Sequence, residues 1–134
     1  MFHIVLVEPQ IPPNTGNIGR LCIATRSRLH LVKPLGFDIS EKAVRRAGLD
    51  YWKHVDLVQH ESYQTFRESL ADQARLWFFS KFAKRSVYEA QFEPGDYLVF
   101  GKETTGLPET VHKEEPAERL LRIPMPGSDI VRSL

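Results

Sequence analysis

Asn14, Asn17 and Arg20 recur at three-residue spacing near the end of the stretch Glu8 to Arg20, Glu-Pro-Gln-Ile-Pro-Pro-Asn-Thr-Gly-Asn-Ile-Gly-Arg. On a helix entered from a strand end, two carboxamides and a guanidinium converge where ligands sit in open α/β sheets. A well-capped strand-to-helix loop with no ligand is the competing reading of Asn14-Thr15-Gly16-Asn17. A second set lies in Gly101-Lys102-Glu103-Thr104-Thr105-Gly106-Leu107-Pro108, where Glu103 brings a carboxylate and Gly101 and Gly106 allow a ligand to approach the backbone. Glu103 has two alternatives there, capping the helix that follows or pairing with Lys102. A third set is Ile123-Pro124-Met125-Pro126-Gly127, whose proline-flanked methionine could line an apolar pocket for adenine or belong to ordinary core.

Other chemistries lack their residues. The glycines of the second set are followed by Leu107-Pro108 where a phosphate-binding loop needs Lys and Ser or Thr, and no Gly-x-Gly-x-x-Gly occurs. The five histidines, His3, His30, His54, His60 and His112, show neither i, i+4 pairing nor a Cys or carboxylate cluster of zinc type, so no metal is expected. The single cysteine, Cys22, excludes an internal disulfide and falls on an apolar helix stripe, as a core residue rather than a nucleophile. A net charge of +1 gives no broad basic footprint. Cations do group locally, at Arg26 and Arg28, at Lys42, Arg45 and Arg46, and at Lys81, Lys84 and Arg85, either as solvated faces or as a track for a phosphate backbone.

The elements that must position these groups follow from the apolar runs. Phe2 to Val7 reads as a buried parallel strand that Pro9, Pro12 and Pro13 stop. A helix starts near Asn14 to Gly16, capped by Asn14 or Thr15, with an apolar stripe of Ile18, Leu21, Cys22 and Thr25. Leu29–Val32, Val55–Val58, Leu76–Ser80, Asp96–Phe100 and Leu120–Ile123 read as further strands. Helices are expected from Ser40 to Ala47, closed by Gly48, from Glu61 to Ala74, and from Pro108 to Lys113. Arg85 to Tyr88 is a turn or a strand edge. Strands alternating with helices, and 134 residues in all, predict one domain: a three-layer α/β sandwich around a mostly parallel sheet. No run approaches a membrane span and no signal-peptide pattern opens the chain, so a cytosolic protein is expected.

Three separated motifs, Asn14 to Arg20, Phe100 to Pro108 and Ile123 to Ser133, stand in the order found in the SPOUT RNA methyltransferases, whose fold ends in a trefoil knot. With the phrase Arg46-Ala47-Gly48-Leu49-Asp50-Tyr51 between them, the chain most resembles the small TrmL group, the tRNA 2′-O-methyltransferases acting at the wobble nucleotide. The resemblance covers essentially the whole chain. It implies S-adenosyl-L-methionine as cofactor, contacted largely through backbone at Phe79, Gly101, Ile123 and Ser133. It implies RNA-side roles for Asn14, Arg20 and Glu103, a tRNA partner engaged at its anticodon region, and a homodimer. Arg20 would orient the ribose or phosphate and stabilise developing oxyanion character, since a guanidinium stays protonated and makes a poor base. Glu103 or a substrate phosphate would then accept the proton. A non-catalytic RNA-binding protein of the same fold is the alternative. In the family, the segment matching Val131 to Leu134 runs on into a long apolar helix that covers the cofactor loops and builds the dimer interface. This sequence stops at Leu134, which leads us to expect a truncated form, or one impaired in cofactor binding and dimerisation.

Overall fold

The computed structural model describes residues 1–125. Seven strands, β1 (His3–Val7), β2 (Arg28–Val32), β3 (Leu57–His60), β4 (Leu76–Phe79), β5 (Arg85–Ser86), β6 (Tyr97–Phe100) and β7 (Leu120–Arg122), form one sheet in the order β3-β2-β1-β6-β4-β7-β5. Every pairing is parallel. All carboxyl ends therefore face one way, and because β1, β6, β4 and β7 are neighbours, the loops that follow them emerge side by side. The first and second motif loops and the start of the third belong to this group.

Helix α1 (Pro12–Thr25) and a 3-10 turn (Asp50–His54) cover one face, where Cys22 and Trp52 pack with Leu6, Leu29 and Leu31. Helices α3 (Tyr63–Glu68) and α4 (Glu109–Glu114) cover the other, placing Phe66 and Val111 against Val5, Phe78 and Val99. Alternate residues of β1 thus serve opposite cores, and the three expected layers are present. Helix α2 (Glu41–Arg46) is capped by Ser40, whose side chain accepts the Ala43 amide, and Gly48 takes the left-handed conformation just beyond it.

Several boundaries differ from those predicted. Val55 and Asp56 are not strand; the 3-10 turn ends at His54 and β3 begins at Leu57. The helix expected to Ala74 stops at Glu68, because the Ser69 hydroxyl takes the Phe66 carbonyl (2.6 Å) and competes with continued helix. Leu70 and Ala74 still reach the core from the irregular chain beyond. Arg85–Ser86 is a two-residue edge strand followed by a 3-10 turn.

Three histidines far apart in sequence meet on one face of the β1–β3 half. His3 Nδ1 lies 2.9 Å from His30 Nε2, and His30 Nδ1 lies 2.9 Å from His60 Nε2. This is a chain of imidazoles rather than a ligand set, since each bridging nitrogen already serves another ring. Burial, followed by the repulsion of His3 and His60, pushes His30 down to about 3. His3 and His60 are lowered too, first by burial.

Candidate functional site

The first loop is held from outside. Helix α1 begins at Pro12, earlier than the expected Asn14 to Gly16, and neither Asn14 nor Thr15 is its cap. The N-cap residue is Ile11, which offers no side-chain acceptor. Prolines in the first turn lack N–H groups, so two of the helix's orphan donors are absent from the start. The amides just before them are taken by Glu103: Oε1 accepts the Gln10 N–H and Oε2 accepts the Ile11 N–H, both at 2.8 Å. Asn14 Nδ2 lies 3.5 Å from the same carboxylate. A negative group at the positive end of α1 is also favoured by the helix dipole. Glu103 thus neither caps α4 nor pairs with Lys102, which reaches Glu8 instead at 3.2 Å. Thr104 Oγ1 adds a bond to Gln10 Oε1 (2.7 Å), and the Gly36 N–H donates to the Pro9 carbonyl (2.9 Å).

The second loop is held by itself. Lys102 and Gly106 exchange backbone hydrogen bonds of 3.2 and 2.8 Å, folding the loop onto its own start. A Cβ at Gly101 would stand 2.1 Å from both Gly106 C and Leu107 N. The space expected to admit a ligand beside Gly101 is therefore filled by the loop's own backbone, and that glycine is required for closure.

The positions that the resemblance assigns to the cofactor, Phe79, Gly101 and Ile123, lie at adjacent strand ends. Phe79 pairs in register with Phe100 on one side and Leu121 on the other. Gly101 directly follows Phe100, and Ile123 lies two residues beyond Leu121. The Phe79 and Phe100 rings stack at 4.6 Å and 10°. Ser133 lies outside the described residues. A cleft of about 620 Å³ runs along the far side of the second loop, lined by Glu8, Phe82, Lys102, Leu107 and His112 among others. Phe79 and Ile123 do not line it, whereas Gly106 and Leu107, against which Gly101 packs, do.

Arg20 stands apart from this group. Its guanidinium lies over the Tyr51 ring, 5.7 Å from the centroid, and it makes no hydrogen bond to Asn14 or Glu103. Six residues separate it from Asn14, about 9 Å along a helix axis. Tyr51 is fixed in turn by donating to the Gly16 carbonyl at 3.0 Å. The turn docks because α1 presents glycine there: a Cβ at Gly19 would sit 2.6 Å from the Trp52 ring. The packing face of α1 is accordingly Thr15, Gly16, Gly19 and Cys22, and Leu21, predicted on the apolar stripe, is 59% exposed. Cys22 is core, its thiol pushed up to about 11 by burial. Sequence reasoning missed Tyr51 as a neighbour of Arg20, although Gly16 and Gly19 at i, i+3 signalled a close-packed face.

The basic groups are partly engaged. Arg28 pairs with Asp56 at 2.9 Å, Arg45 pairs with Glu41, and Arg85 donates to the carbonyls of Glu118 and Glu89.

Residues 1–134 match the model of the SpoU rRNA methylase family. The chain belongs to that family. Among its SpoU relatives, a tRNA (cytidine(34)-2′-O)-methyltransferase of Polaromonas sp. is 50% identical over 129 residues, 95% of this chain and 79% of the relative. The protein of the same name from Saccharophagus degradans is 48% identical over 93% of this chain and 80% of its own length. A solved structure concerned with 2-OH methylation of C/U34 on tRNA superposes with a TM-score of 0.87 at 51% identity, covering 100% of this chain and 85% of that one. The SpoU fold also extends to the AdoMet-bound rRNA methyltransferase of Sinorhizobium meliloti, with a TM-score of 0.75 at 23% identity over 99% of this chain and 50% of that one. None of the described helices is long and apolar enough to cross a membrane.

Proposed function

We propose that this chain transfers a methyl group from S-adenosylmethionine to the ribose 2′-hydroxyl of the wobble nucleotide of tRNA, working as a homodimer. What carries the reading is the convergence of Phe79, Gly101 and Ile123 on adjacent strand ends, in a chain half identical to relatives named for that activity.

The residues present suit the cofactor. Stacked Phe79 and Phe100, with Ile123 two strands from Phe100, offer apolar side chains and strand-end backbone, which match an adenosine and a thioether better than a phosphate. S-adenosylmethionine supplies a methyl group on a sulfonium, open to in-line displacement, so positioning is the protein's main task. Phe79, Gly101 and Ile123 hold the cofactor, with Ser133 assigned to the same role. Asn14, at the start of α1, faces the RNA. Arg20 orients the ribose or its phosphate and stabilises negative charge developing on the hydroxyl oxygen. Glu103, with both oxygens already accepting amide N–H groups, serves by fixing the first loop. The proton leaves to solvent or to a substrate phosphate.

The test is transfer of label from methyl-labelled S-adenosylmethionine to tRNA, beside calorimetry with S-adenosylhomocysteine. Cofactor binding together with label in tRNA is the expected result. RNA binding without cofactor binding or label would favour the non-catalytic reading.

A further inference from the structure

Ser80 joins three segments of the cofactor region. It follows Phe79 at the end of β4, and its N–H donates to the Leu121 carbonyl at 2.9 Å. Its hydroxyl lies 2.7 Å from His112 Nε2 on α4 and accepts the Phe82 N–H at 3.1 Å. Phe79, Ile123 and the loop of Gly101 are each linked through the chain to one of these contacts. Phe79 precedes Ser80, Leu121 stands two residues before Ile123, and His112 sits on the helix that closes the Gly101–Pro108 loop. The neighbouring residue Val111 is 1% exposed and Leu107 is 6% exposed, so α4 and the loop's end are anchored in the core and carry His112 with them. The pair itself is only half-buried, and His112 and Phe82 both line the cleft beside the second loop. A hydroxyl both donates and accepts, so the bond forms with either imidazole tautomer.

We propose that Ser80 and His112 are positioning residues for the cofactor. Their hydrogen bond ties the end of β4 to α4, and so fixes the spacing between the Phe79 and Ile123 strand ends and the Gly101 loop. A bond at the rim of a cleft, rather than inside the core, governs where that loop rests more than whether the chain folds. The inference rests on the proposed function.

The experiment compares the parent with Ser80→Ala, His112→Ala, the double variant and His112→Gln, whose amide can replace Nε2. Calorimetry gives the Kd for S-adenosylhomocysteine, turnover gives separate KM values for cofactor and tRNA, and thermal unfolding gives Tm. Each alanine variant should raise the cofactor Kd about five- to tenfold, the loss expected for one hydrogen bond. The double variant should be no worse than the singles, His112→Gln should recover most of the affinity, and Tm and the KM for tRNA should stay near the parent's. Unchanged cofactor Kd in both alanine variants would overturn the inference while leaving the proposed function standing. Losses that follow a fall in Tm, with no rescue by glutamine, would also overturn it, by making the pair merely structural. A parent chain that fails to bind S-adenosylhomocysteine would overturn the proposed function, and this inference with it.

Discussion

The first and second loops leave neighbouring strands, β1 and β6, at the same edge of the sheet, yet they are stiffened by opposite means. Glu8 to Ile11 is held by a partner 92 residues beyond Ile11 in sequence: prolines strip donors from the helix start, and Glu103 takes the two amides just before it. Gly101 to Leu107 closes on itself through the Lys102–Gly106 pairing, over a position that admits only glycine, and its Lys102 and Thr104 side chains also reach Glu8 and Gln10 of the first loop. The second loop can therefore act as the fixed member, and the first is referenced to it chiefly through the Glu103 carboxylate, with the Lys102–Glu8 and Thr104–Gln10 contacts beside it. Coupling between the two loops is reciprocal, but the second loop also carries its own backbone closure, so disturbing it should cost more than disturbing the first.

Breaking the fixed member should have the largest effect. Gly101→Val forces a side chain into the Gly106–Leu107 backbone. We expect a loss of about 3 kcal/mol or more in denaturant unfolding, with cofactor binding abolished. Retained affinity would mean that the loop closes by another route.

Acid should separate the two halves of the sheet next. His30 is held near 3 in the folded chain against about 6.5 when unfolded, so between those values the unfolded state binds the extra proton. Stability is then fully present above pH 6.5 and falls as the pH drops toward 3, by a few kcal/mol at most. Amide exchange should show β1–β3, which carry the histidine chain and the first loop, losing protection before β4 and β6. Substituting His30 with leucine should flatten the pH dependence; an unchanged slope would assign it to other groups.

A smaller effect is expected from untying the first loop. Glu103→Ala removes two hydrogen bonds to a charged acceptor at a partly exposed site, which should cost about 1–2 kcal/mol and lower methyl transfer about tenfold or more. Glu103→Gln should be nearly as harmful, because its amide nitrogen would face a backbone N–H. A glutamine variant with parental activity would show that the carboxylate is not what holds the loop. The smallest change should follow Lys102→Ala, since its pair with Glu8 is a single half-buried contact worth about 1 kcal/mol or less.

The sheet was legible because its strands are short apolar runs punctuated by proline and glycine. What failed did so for physical reasons. The start of α1 differs because Ile11 is a cap without a side-chain acceptor and the approach to the helix is held by Glu103 from another loop, which no local pattern reveals. The helix after Ser62 was drawn too long because Leu70 and Ala74 keep helical spacing while already outside the helix. Leu21 was put in the core because a stripe of large residues outweighed the small ones, Gly16 and Gly19, that actually dock. The histidine chain depends on the β1-β2-β3 order, which sequence does not fix. The assignments of Phe79, Gly101 and Ile123 came from resemblance, and the register places them side by side.

The most direct test is site-resolved mass mapping of ribose methylation in tRNA incubated with S-adenosylmethionine and either the parent chain or Arg20→Ala. Because Arg20 lies exposed against Tyr51, clear of both cores, its removal should leave folding and cofactor binding near parental. A single added methyl on the 2′-oxygen of nucleotide 34 is expected with the parent, and a yield lower by orders of magnitude with the variant. Methylation elsewhere in the tRNA, or none despite bound cofactor, would contradict it, and an Arg20→Ala variant with parental yield would remove Arg20 from the chemistry.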